Sequence, residues 1–248
     1  GSSTRGVVFD DNVKEAGVDS HLSIFELEEG LKRSGVHFDL IYMDVCLMNM
    51  MENICQIADY TDYILSASHI TPGYGGHYGR MDKLEQHSEV LPAMQEYVPL
   101  TVELWKSLDT NNSYDLSLTD TRMLQPVLDE MRLFTDALIE ERNSCQNDAE
   151  SLELFDYYQL YSIYQFDQYP GSYSIALDYY ANHIANYCMN GTLSTQAYLL
   201  SNALQKMQPV RASHHNEGII PEFTVGITWM PAEYYNRNDF VIEDANGQ

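Results

Sequence analysis

Cys46 and Asp44 are the residues whose types and spacing could do chemistry. A cysteine thiolate attacks a carbonyl carbon when a neighbouring histidine takes and returns the proton. Asp44 stands two residues earlier, so in an extended chain both side chains leave on one face. A carboxylate there can pair with the cationic end of a bound side chain. Each residue also has a plainer reading. A cysteine beside a strand commonly serves as a small apolar filler, and an aspartate before a helix commonly caps it.

The elements that must position this pair are legible on either side. Leu40-Ile41-Tyr42-Met43 is a short bounded apolar run within Phe38–Met43, which predicts a strand buried in a parallel sheet. Met48, Met51, Ile54 and Ile57 have helical spacing and predict a helix from Leu47 to about Ala58. Cys46 then falls at the carboxyl end of a strand, facing a helix start, where open α/β sheets hold their chemistry. The partial positive charge of that helix start would favour the thiolate. Residues 63–68 read as the next strand, and Gly6–Phe9 as a short earlier one. Ser23 and Glu26 form a capping box that opens a helix ending at Gly35. The alternation is βαβαβ and predicts an α/β fold.

Beyond Ser68, residues 71–79 form a glycine-rich loop. No Gly-Lys-Ser/Thr follows it, so it is no phosphate cradle; its glycines permit close backbone approach to a ligand or a tight turn. Residues 80–108 have helical spacing interrupted by Pro92 and Pro99. Residues 116–145 read as one long amphipathic stretch, with a kink or fresh start at Pro126. Residues 150–189 read as helical and rich in tyrosines that pack between helices, with a break near Pro170-Gly171. Residues 222–230 and 240–242 read as two strands closing the sheet. The organisation expected is an α/β core carrying the nucleophile over 1–80, a helical region over 81–210, and strands returning to the sheet over 211–248.

With 13 basic against 37 acidic residues the net charge is −24. Phosphate backbones are repelled by such a surface, which excludes nucleic acid as a partner. Basic peptides are attracted at long range; the alternative role of the charge is solubility. Cys46, Cys55, Cys145 and Cys188 form no C-x-x-C pair, so no zinc site is expected. No apolar run is long enough to span a bilayer. Gly1-Ser2-Ser3 does not resemble a native start, and a processed or excised product is expected.

Asp44-Val-Cys46-Leu-Met48, followed by Glu52 and the strand ending at Ser68, resembles a motif of the clostripain-like cysteine peptidases, family C11 of the caspase-like clan. There an Asp-Ala-Cys-Leu-Met segment ends a core strand and carries the nucleophile. Residues 112–118 look like that family's Tyr-Thr-Leu-Ser-Val helix start, and residues 226–231 like its late Gly-Ile-Ser-Ile-Tyr-Phe-Pro strand. The resemblance implies a caspase-like αβα sandwich with a mostly parallel sheet and a helical C-terminal region. It implies an exported, proteolytically activated endopeptidase that cleaves after Arg or Lys. Cys46 would be the nucleophile and Asp44 the acid of the primary specificity pocket, with the Ser66–Ser68 strand along the peptide.

Two departures matter. The family's catalytic histidine precedes the cysteine and is followed by glycine; His21 and His37 precede no glycine. The histidine is therefore expected on a light-chain segment N-terminal to Gly1, separated by cleavage at Lys14, or alternatively at Arg5. After Ser68 the family carries acidic residues, whereas this chain has His69-Ile70 and later His77, which either line the cleft, lie exposed, or substitute as bases. No cofactor is expected; Asp10-Asp11 is a weak calcium signal, since some family members need that ion. The alternative function is a non-catalytic relative that binds proteins or glycans.

Overall fold

The computed structural model describes residue 7 and residues 21–147, 174–214 and 226–228. Helix α1 (Ile24–Ser34) follows the capping box: the Glu26 N–H donates to the Ser23 hydroxyl at 3.2 Å, and the Ser23 N–H donates to the Glu26 carboxylate at 2.8 Å. It ends at Gly35, whose φ of 64° is the left-handed conformation that glycine adopts without strain. Strand β1 (Phe38–Met43), helix α2 (Met51–Ile57) and strand β2 (Thr61–Ser66) come next. Helix α3 (Asp82–Gln86), helix α4 (Val90–Leu108), strand β3 (Tyr114–Asp120) and helix α5 (Leu124–Ser144) follow. Then come β4 (Ser174–Ala176), α6 (Leu177–Tyr187), α7 (Gly191–Met207), β5 (Val210–His214) and β6 (Gly226–Thr228).

The main sheet has the order β1-β2-β3-β5. β1 and β2 are parallel, with Phe38 opposite Thr61 and Met43 opposite Ser66, and α2 makes the crossover that a parallel pair requires. β2–β3 and β3–β5 are antiparallel. The described sheet is thus mixed, where the sequence suggested mostly parallel. The excursion through α3 and α4 brings the chain back to the end at which β2 stopped, and β3 runs back from there.

Strand alternation distributes the core over two faces. Leu40, Tyr42, Tyr63, Leu65, Tyr114, Leu116 and Leu118 pack against α4 through Met94, Tyr97, Val98 and Trp105. Ile41, Met43 and Ile64 face the second cluster, built from α1, α2, α5, α6 and α7. Helices on both faces of a sheet make the expected αβα sandwich.

Three assignments change. Residues 114–120 form a strand rather than a helix start: the apolar positions 114, 116 and 118 alternate with Asp115, Ser117 and Thr119, the period of a strand. The long amphipathic helix begins at Leu124, with Pro126 in the first turn, where its missing N–H costs nothing. Among the described residues the chain returns to the main sheet through Val210–His214, ahead of the strand expected at residues 222–230. Within that later span, Gly226–Thr228 pairs with β4 in a separate two-stranded sheet. His214 ends β5 opposite Tyr114. Residues 5, 10, 11, 14, 240–242 and most of the tyrosine-rich stretch lie outside the described residues.

Candidate active site

The chain leaves β1 at Met43 and turns sharply through Asp44–Leu47. Leu47 has a φ of 60°, a strained conformation for a branched side chain. Three N–H groups hold the turn against the end of β2. Leu47 donates to the His69 carbonyl at 3.1 Å, and Met48 and Asn49 donate to that of Ala67 at 2.9 and 3.0 Å. These bonds delay the helix. α2 starts at Met51, five residues after the cysteine, so the helix N-terminus expected to stabilise the thiolate is not at the sulfur.

Cys46 is half-buried, and its hydrogen bonds among the described residues run to the backbone of Thr71. The Thr71 N–H donates to Sγ at 3.2 Å, and the thiol faces the Thr71 carbonyl at 3.6 Å. The N–H and the carbonyl belong to one residue, so Thr71 meets the sulfur with both of its backbone groups.

Asp44 is bound by the other end of the same loop. Its Oδ2 accepts the Gly76 N–H at 2.9 Å and the Tyr78 hydroxyl, and its Oδ1 accepts the Tyr42 hydroxyl at 3.4 Å. The glycines are needed here. A Cβ on Gly75 would lie 2.5 Å from Asp44 Oδ2, and Gly75 has a φ of 73°; a Cβ on Gly76 would enter the Tyr42 hydroxyl. The Trp105 indole N–H fixes the loop by donating to the Gly75 carbonyl at 2.8 Å, and the Tyr74 hydroxyl donates to the Trp105 carbonyl at 3.4 Å. The hydrogen bond to Asp44, more than burial, pushes the Tyr78 phenol up to about 12. Burial raises Tyr42 and Tyr97 above the usual range. These phenols stay protonated donors at neutral pH.

Ser66 and Ser68, expected along a bound peptide, are both fully buried. The Ser66 hydroxyl donates to Asn49 Oδ1 at 3.4 Å, and Asn49 Nδ2 donates to the Ser68 hydroxyl at 3.1 Å. Gln208 donates to the same Asn49 oxygen at 3.2 Å. β2 is also paired on both edges, so residues 61–66 have no free edge for an added strand.

The sequence reading missed Asp115. Fully buried, it accepts the Ser68 N–H at 2.9 Å and the His69 N–H at 2.7 Å, pinning the segment between β2 and the glycine loop. An aspartate inside an alternating apolar segment was the available signal. His69 is buried, His77 is half-buried, and His37 pairs with Asp62 at 3.0 Å.

Among the described residues no group of three or more His, Cys, Asp or Glu side chains could hold a metal, and no helix is long and apolar enough to cross a membrane. A groove of about 730 Å³ between α7 and β5, lined by Lys206, Gln208 and Arg211 among others, includes neither Cys46 nor Asp44.

A model of the Clostripain family matches residues 1–210. A search of curated proteins finds no match. The fold is similar to that of a clostripain from Bacteroides thetaiotaomicron solved with a peptide inhibitor, at 15% identity and a TM-score of 0.55 over 89% of each chain. It is similar to a B. fragilis cysteine protease at 14% identity and a TM-score of 0.58, again over 89% of each chain. An inactive zymogen of a C11 protease from Parabacteroides distasonis matches at 14% identity and a TM-score of 0.52, covering 84% of this chain and 57% of that one. The structural likeness shows the shared caspase-like fold, and the family match spans most of the sequence, including the Asp44–Met48 segment. This chain belongs to the clostripain family of C11 cysteine proteases.

Proposed function

We propose that the protein is a cysteine endopeptidase that cleaves after basic residues, with Cys46 as nucleophile and Asp44 as the acid that selects the side chain before the scissile bond. The observation that carries this reading is the placement of both groups under one loop, the thiol at Thr71 and the carboxylate at Gly76. The Cys46 thiolate attacks the scissile carbonyl carbon, a C–S bond forms, and the oxygen takes the negative charge. Among the described residues the Cys46 N–H donates to no protein group, which leaves it available to that oxyanion. Collapse of the adduct breaks the C–N bond, and the amine leaves with a proton from the base. Water then hydrolyses the thioester and regenerates the thiol.

The base in this reading is a histidine carried by a segment preceding Gly1, because the hydrogen bonds of the sulfur run to Thr71. Cleavage at Lys14 would separate that segment while leaving it associated. A family relative solved as an inactive zymogen and another described as secreted support activation by processing and export.

The test is covalent labelling of Cys46 by peptidyl ketone probes with a basic or neutral residue beside the reactive carbon, followed by intact mass. Faster labelling by the basic probes, abolished by Cys46→Ala, supports the reading. Alkylation by iodoacetamide without labelling by any peptide probe would favour the second reading, a caspase-like binding module, supported by the lack of a histidine on Cys46 among the described residues.

A further inference from the structure

The hydrogen bonds on Asp44 are unequal, and their inequality bears on which basic side chain it can take. A carboxylate oxygen has two acceptor sites. Both sites of Oδ2 are filled, one by the Gly76 N–H and one by the Tyr78 hydroxyl. Among the described residues Oδ1 carries only the long contact to the Tyr42 hydroxyl at 3.4 Å. The Gly76 donor is not readily displaced. Gly76 N–H is backbone, and its neighbour Gly75 is tied to Trp105, which is fully buried.

An arginine gains its advantage over lysine by laying two parallel N–H groups on the two oxygens of one carboxylate. Here that fork would find one oxygen saturated. An ammonium is a compact charge with three rotatable donors and needs one oxygen only. It can take Oδ1 and satisfy its other protons on the phenolic oxygens of Tyr42 and Tyr78, whose protons point at Asp44. Tyr78 is 56% exposed, so its hydroxyl stands at the solvent side of the acid.

We propose that Tyr78 is a specificity-determining residue that makes this site prefer lysine to arginine before the scissile bond. The inference rests on the reading of Asp44 as the specificity acid. It assigns to the glycine loop a selective role rather than a merely structural one.

The experiment uses the protein with any native sequence that precedes Gly1. Three peptidyl acyloxymethyl ketones differ only in carrying lysine, arginine or the neutral isostere citrulline beside the reactive carbon. The rate of adduct formation on Cys46 is followed by intact mass. Lysine is expected to react at least fivefold faster than arginine, about the scale of one net hydrogen bond. Tyr78→Phe frees an acceptor site on Oδ2 and removes one phenolic oxygen, and is expected to bring the ratio to about one or below, mainly through a faster arginine reaction. Because Tyr78 is largely exposed, this variant is expected to fold, and an unchanged Tm confirms it. Arginine reacting as fast as lysine in the unmodified protein, or a ratio unmoved by Tyr78→Phe, overturns the inference while basic specificity stands. Citrulline reacting as fast as both basic probes overturns basic specificity and the inference with it.

Discussion

Asp44 holds three donors in the unliganded chain, so a basic side chain has to share it rather than meet a bare carboxylate. In the proposed role of Asp44, its charge separates basic from neutral side chains, and its remaining acceptor sites separate lysine from arginine. Asp44→Asn preserves the shape and removes the charge. It is expected to lower kcat/KM on basic substrates about a hundredfold or more, with a much smaller change on a neutral substrate, as measured with paired fluorogenic peptides. Cys46→Ala is expected to reduce hydrolysis about a thousandfold or more with Tm nearly unchanged, since the thiol is half-buried and, among the described residues, bonded only to the backbone of Thr71. The sequence already marked both residues. It did not mark Tyr78, because a tyrosine among 19 in one chain carries no signal until the loop is seen folded over Asp44.

The site is built where three loops cross, and two buried polar contacts hold them. Asp115 on β3 clamps the Ser68 and His69 amides, while Asn49 joins Ser66, Ser68 and Gln208. Asp115→Ala leaves two buried N–H groups without that partner. It is expected to cost about 2–4 kcal/mol in chemical denaturation and to reduce activity through misplacement of the loop that carries Thr71. Gly75→Ala places a methyl at 2.5 Å from Asp44 Oδ2 in a left-handed backbone, and is expected to lose both stability and basic selectivity. Ser23→Ala, at the remote cap of α1, is expected to cost about 1 kcal/mol and leave kcat/KM unchanged. At this scale the apolar periods of β1 and α1 were plain in the sequence. The start of α2 was not, because Met48 and Asn49 spend their N–H groups on Ala67, across the sheet, instead of opening a helix.

For the molecule as a whole, a net charge of −24 draws cationic peptides from a distance and is screened by salt. Raising ionic strength from about 0.05 to 0.5 M is expected to lower kcat/KM on a basic peptide several-fold, carried by KM, while a neutral peptide changes little. The α/β class was legible because predicted strands alternate with helices, and the αβα layering was implied by the family resemblance. The strand directions were not. Whether β3 runs with or against β2 depends on where α4 delivers the chain, which no local pattern encodes.

The residues alone marked Cys46 and Asp44 as candidates and predicted an α/β fold, from local chemistry and short-range periodicity, while the roles of nucleophile and specificity acid came from the family resemblance. The tertiary structure decided what those groups meet. It buried Ser66 and Ser68, placed Thr71 against the sulfur, and spent one oxygen of Asp44 on Gly76 and Tyr78. Those contacts join positions about thirty residues apart, and only the folding of the glycine loop back over the end of β1 brings them within hydrogen-bonding distance.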